Sequence, residues 1–159
     1  MPPGTADIDS SKPSASTDGI GSFARHFAFV LALARRAEPE LSRSDQLRWL
    51  SRLQVEHDNI RSALEWAAGA PERKDRGLEL AASLWWFWIK RGYFSEGQRR
   101  LAESRAACTD VSRTTAKAYV GLAHFSLFQG DPATPGTIAK SLEVARAVGD
   151  SRSEAYSLG

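Results

Sequence analysis

From Ser22 onward, apolar residues recur at helical spacing along the chain. In SFARHFAFVLALARRA, Phe23, Phe27, Val30, Leu31 and Ala34 fall on one stripe. Pro39 ends that segment. SDQLRWLSRLQVEHDNIRSALEWAA follows, with Leu47, Leu50, Leu53, Ile60, Leu64 and Ala67 spaced for one helix, or for two with a bend near 56–58. Ser44 suits its N-cap, and Gly69 with Pro71 closes it. A third helix is expected from about Asp75 to Arg91, ending at Gly92. Ser95 and Gln98 have the spacing of a capping box that opens a fourth helix, to about Ala107. A fifth spans about Arg113 to Gln129 before Gly130, and a sixth about Gly136 to Val148 before Gly149. Ser151 with Glu154 reads as a second capping box. Alternating β-branched runs bounded by turn residues are absent, so the expected class is all-α. The short connections favour antiparallel neighbours.

One segment departs from the amphipathic pattern. LWWFWIKRGYFSEG sets Trp85, Trp86, Phe87 and Trp88 side by side. Successive helical residues point about 100° apart, so these four rings sweep most of the circumference. A helix apolar nearly all round is buried between neighbours. A cage of rings around a cation is the sharper alternative, but consecutive helical positions diverge, which favours core packing.

Residues 1–21, MPPGTADIDSSKPSASTDGIG, are a different text, with Ile8 and Ile20 as the only sizeable apolar groups. Such a stretch cannot bury enough surface to offset its ordering entropy and reads as a disordered tail. Residues 22–159 form the expected single domain.

Composition narrows the function. The chain has 159 residues, 42% hydrophobic and 25% charged, and a net charge of +2. It is long enough for a substantial core and ordinary for a globular protein. The basic residues are spread along the sequence, which argues against a nucleic-acid binder. The densest basic run, Lys90, Arg91, Arg99, Arg100 and Arg105, is interleaved with Glu96 and Glu103. It reads as a solvated helix face; direct nucleic-acid binding through such faces is the alternative function. The longest apolar stretches, 27–34 and 84–89, fall short of the roughly 18 to 20 residues of a membrane span. The N-terminus lacks the basic and apolar regions of a signal peptide. One cysteine, Cys108, allows no internal disulfide and fits a reducing compartment. The expected location is the cytoplasm.

Catalytic candidates are few. His26, His57 and His124 lie on separate predicted helices, without metal-ligand spacing. In Glu56-His57-Asp58, three adjacent helical residues point in different directions and suit a network at a helix bend. Nothing about the position of Cys108 lowers a thiol pKa. The expectation is no catalytic, metal or cofactor site.

The turn glycines Gly92 and Gly130 each separate an aromatic-rich helix from a second helix, and such paired helices suggest a solenoid. Gly92, Gly130 and Gly149 suit the left-handed backbone at a helix C-terminus. The candidate core or groove aromatics are Trp85, Trp88, Tyr93, Tyr119 and Phe125.

LARRAEPEL, WLSRLQVEHDNIRSALEWA, LAASLWWFWIKRGYFSEGQRRL and QGD…SLEVARAVGDSRSEAYSLG together resemble the C-terminal helical region of bacterial transcriptional regulators with a STAND-type ATPase core, including LuxR-type and AfsR-like proteins. The resemblance covers roughly 23–159. It implies a tetratricopeptide-like, right-handed α-α superhelix of antiparallel helix pairs that senses or contacts other proteins. The phosphate loop GxxxxGK[ST] and a helix-turn-helix are absent. Pro132, Pro135 and Gly136 stand where the family carries helix formers, so the helix after Gly130 is expected to start late. The last helix is expected to be cut inside a third repeat, leaving an end open to self-association. The expected partner is a protein or peptide, including a parent-type ATPase and winged-helix regulator.

Overall fold

The computed structural model describes residues 15–159. Among these are eight α-helices and no strand: α1 Ala15–Ala37, α2 Gln46–Val55, α3 His57–Ala68, α4 Lys74–Arg91, α5 Phe94–Ala106, α6 Arg113–Phe128, α7 Thr134–Ala147 and α8 Ser151–Leu158. Short 3₁₀ turns, Glu38–Ser42 and Pro71–Arg73, lead into α2 and α4. The all-α expectation is met.

Several boundaries differ from those read in the sequence. Helix α1 begins at Ala15, inside the stretch expected as tail, because extending an existing helix adds one hydrogen bond per residue fixed. The rest of that expected tail, 1–14, lies outside the described residues. The expected bend near 56–58 is a real break: Glu56, at φ −91° and ψ 7°, separates α2 from α3. Asp45, not Ser44, precedes α2, and its side chain makes no capping bond.

Three helices end alike. Gly92, Gly130 and Gly149 have φ of +77°, +64° and +64°. Behind α4, Gly92 N–H donates to the Ile89 carbonyl (3.1 Å) and Tyr93 N–H to that of Trp88 (2.8 Å). The same pair of bonds recurs at Gly130–Asp131 and Gly149–Asp150. This double closure satisfies the orphan carbonyls at each helix end. It also moves the next helix start forward. Helix α5 opens at Phe94, so Ser95 is already inside its first turn and no capping box forms there. Asp150, rather than Ser151, caps α8 by accepting from Ser153 N–H (3.3 Å). A capping box does form at Ser112 and Thr115, opening α6. Helix α7 starts at Thr134, ahead of the expected Gly136. Pro135 sits in its first turn, where a missing N–H costs nothing.

Side-chain pairings give the helix directions. Gly97 of α5 meets Trp88 of α4 and Phe125 of α6, while Gly121 of α6 meets Leu101 of α5 and Trp85 of α4. Thus α4 and α6 run in parallel and α5 runs against both. Arg146–Glu154 (2.7 Å) and Ser141–Ser157 (2.6 Å) set α8 against α7. Tyr156 of α8 meets both Trp85 of α4 and His124 of α6.

Those two glycines explain the tight packing around the tryptophans. A Cβ at Gly97 would lie 2.5 Å from Phe125 Cζ, and one at Gly121 would lie 2.7 Å from Leu101 and 2.8 Å from Trp85. Only a bare backbone lets α5 and α6 approach α4 this closely. Trp88, Phe87 and Phe125 are fully buried there, with Phe27, Leu31, Leu53 and Ile60 extending the core towards α1–α3. Four consecutive aromatic positions in α4 are thus covered on most sides, and only Trp86 is half-buried.

Candidate functional site

Helix α6 packs against both α4 and α8, and residues of all three line a shared surface. Trp85 and Trp86 come from α4, Lys117 and Val120 from α6, and Arg152, Ser153 and Tyr156 from α8. The turn after α1 closes one side with Glu38, Pro39 and Ser42. Together they bound a cleft of about 290 Å³.

Trp85, Trp86 and Tyr156 supply its aromatic lining, and His124, outside the lining, packs on the same rings. Trp85 packs on Trp86 (4.9 Å between ring centres), His124 (4.8 Å) and Tyr156 (6.0 Å), and His124 also lies 6.3 Å from Tyr156. Rings from three helices therefore do converge, although neighbouring positions of one helix alone would not bring them together. They pack on each other at contact spacing, without the gap a cation cage needs. Hydrogen bonds hold the cluster in place: Trp86 Nε1 donates to the Leu41 carbonyl (3.0 Å), and His124 Nδ1 lies 2.8 Å from the Val120 carbonyl. Lys90 Nζ stands over the Trp86 ring at 4.8 Å.

Charge sits on the cleft rim. Lys117 Nζ pairs with Glu38 at 2.6 Å, and Arg152 lies over Tyr156 at 5.9 Å. Burial alone would raise the Asp150 carboxyl, but hydrogen bonds from Ser153 and the Arg152 backbone, with the Arg113 charge, hold it below its ordinary value. The cleft offers aromatic faces between charges of both signs, and the Ser153 hydroxyl that lines it donates to Asp150 (2.7 Å) within the α8 cap.

Of the five candidate aromatics, only Trp85 reaches this cleft. Trp88 and Phe125 are core residues at 0% exposure. Tyr93 lies on another side, where its hydroxyl bonds Gln54 (2.9 and 3.1 Å) and its ring rests on His57 (4.4 Å). Tyr119 packs beside Ala116, Val144 and Ala145 under the Arg105 guanidinium (4.9 Å). Gly92, Gly130 and Gly149 are turns. Trp86, His124, Tyr156 and the Lys117–Glu38 pair were missed because they come from segments far apart in the chain, and no local pattern joins them.

A second set of titratable groups ties helices together. His57 is buried, with Nε2 3.2 Å from Glu96 Oε1, while Arg61 donates twice to the same carboxylate (2.9 and 2.7 Å). The Arg61 bonds hold the Glu96 carboxyl below its ordinary value despite partial burial, and Glu96 in turn raises Arg61. This knot ties α3 to α5. Burial, with the neighbouring Asp75 carboxylate 3.4 Å away, pushes the Cys108 thiol up, against nucleophilic use. Within the basic run, Arg99 and Arg100 are paired with Glu103 (3.2 Å) and Glu65 (2.7 Å), while Lys90 and Arg105 lie over the Trp86 and Tyr119 rings. Among the described residues, no group of three or more histidine, cysteine, aspartate or glutamate side chains is placed to hold a metal, and no helix is long and apolar enough to cross a membrane. Comparison with protein-family models, curated proteins and solved structures gives no match.

Proposed function

We propose that this chain is a non-catalytic interaction module, a tetratricopeptide-like right-handed superhelix whose inner face takes a protein or peptide partner in the cytoplasm. The supporting observation is the cleft bounded by Trp85, Trp86, Lys117 and Tyr156, together with the packing of α6 against α4 and α8 that creates it. Stacked helix pairs leave a continuous groove of this kind along one side. Aromatic faces rimmed by charge are the usual make-up of protein-recognition surfaces. The resemblance to the helical region of STAND-type regulators favours a regulatory partner, such as a parent-type ATPase with a winged helix.

The test is chemical crosslinking of the purified chain to partners, compared with Lys117→Glu and Tyr156→Ala. Lys117→Glu alters the cleft at a partly exposed side chain, and Tyr156→Ala removes a ring that packs on Trp85 at the edge of the core. On this reading a partner is captured by the natural chain and lost by both variants, with unchanged circular dichroism. Capture that is indifferent to both substitutions, or substrate turnover by the isolated chain, would refute it.

A further inference from the structure

A second cleft, of about 330 Å³, opens between α1 and α2. Its floor is Leu33, at 7% exposure, and one wall is the half-buried indole of Trp49. Every other lining side chain is an arginine: Arg36 from α1, Arg48 and Arg52 from α2. Among the described residues, Arg36 has no carboxylate partner. Arg48 and Arg52 reach only loose ones, Asp45 at 3.6 Å and Glu56 at 3.7 Å, and their side chains are 77% and 54% exposed. Pairs so long and so wet neutralise little charge. Three guanidiniums around one small hollow repel each other, and an anion relieves that repulsion.

The indole is available as well. Arg73 sits 4.1 Å above the Trp66 ring and covers it. Arg36 and Arg48 lie 5.8 and 5.9 Å from the Trp49 ring centre, near the roughly 6 Å limit of a cation–π contact. Both lie over the ring only near that limit, so a stacking base has weak contacts to displace.

We infer that the Arg36–Arg48–Trp49–Arg52 cleft binds a planar, phosphate-bearing ligand, a nucleotide. Arginine forks match phosphate oxygens in pairs, and an indole face stacks on any base. The volume falls within the usual small-molecule range, roughly 300 to 1,000 Å³. The same chemistry could be offered by a free nucleotide or by an unpaired nucleotide of a single-stranded nucleic acid. This inference stands apart from the inner-face reading, because the two clefts share no residue.

Isothermal titration at low salt with ADP, inorganic phosphate and a short single-stranded oligonucleotide tests it on the full chain. ADP should bind saturably with one site and more tightly than phosphate. Arg36→Gln, on an exposed side chain, should weaken ADP binding by about ten-fold or more while the melting temperature holds. Trp49→Leu should erase the preference for ADP over phosphate. An oligonucleotide bound far more tightly than ADP supports the site and identifies nucleic acid as the source. The inference is overturned if neither ADP nor the oligonucleotide binds, if phosphate binds as tightly as ADP in the natural chain, or if both variants bind ADP unchanged.

Discussion

Two tryptophans in this molecule do opposite things. Trp88 lies where α4, α5 and α6 meet, at 0% exposure, with Gly97 pressed on its Cβ. Trp49, on α2, is half-buried and bordered by arginines. The residue type is the same, and what approaches it differs. Where a glycine brings another backbone close, the indole becomes filler and loses water on all sides. Where long cations approach, the ring keeps a face in reach of solvent. The charged groups there cannot be packed away, because burying an unpaired guanidinium is far costlier than leaving it wet. The interior is therefore specified by small residues, and the surface cleft by large ones.

The contrast is sharpest at Trp88 itself. Trp88→Ala should cost about 3 to 5 kcal/mol in chemical denaturation, from lost burial and a cavity that rigid neighbours cannot fill. A midpoint within experimental error of the natural chain would break the packed-interior account. Gly97→Ala tests the same contact from the other side. Its Cβ would fall 2.5 Å from Phe125 and 2.7 Å from Trp88 Cβ, so overpacking of about 1 to 3 kcal/mol should outweigh alanine's better helix propensity. Gly136→Ala, in the first turn of α7 with nothing within 4 Å, should instead stabilise by roughly 0.5 to 1 kcal/mol. If the two alanines shift stability in the same direction, close approach is not what fixes Gly97.

The knot between α3 and α5 adds a pH dependence. Glu96 titrates below its ordinary value near 4.5 in the folded chain. Its stabilising effect is complete above that ordinary value and is lost as pH falls through the folded one. Natural protein should therefore lose stability in acid more steeply than Glu96→Gln, which cannot titrate. Parallel stability curves for the two between pH values around 5 and 3 would remove Glu96 from the acid response.

The sequence made some of this legible and concealed the rest for physical reasons. Helix class and the Gly92, Gly130 and Gly149 ends follow from local rules, because periodicity and backbone angle are properties of short segments. The N-caps of α2, α5 and α8 were misread. A capping motif competes with whatever closes the preceding turn, and at Gly92 and Gly149 that closure decides where the next helix begins. The burial of Trp85, Phe87 and Trp88 was visible in their crowding. The cleft was not, because Glu38, Trp86, Lys117 and Tyr156 are joined only by the stacking of helices distant in sequence. The arginine cleft was hidden in the same way: Arg36, Arg48 and Arg52 read as dispersed charge along the chain and gather only when α1 meets α2.

The smallest expected effect separates the two tryptophan environments most cleanly. If Arg36 and Arg48 belong to a surface that recognises an anion, they contribute little to folding. Arg36→Gln with Arg48→Gln should then shift stability by no more than about 0.5 kcal/mol, as exposed substitutions do. The shift should be towards greater stability, because removing two of three like charges relieves repulsion around Trp49. Raising the salt concentration should shrink even that gain, since screening already weakens the repulsion in the natural chain. Thermal melts of both proteins at low and high salt provide the measurement. A loss above about 1 kcal/mol at either salt would mean that these arginines brace α1 against α2 through Trp49, and the surface would then resemble the interior more than its exposure suggests.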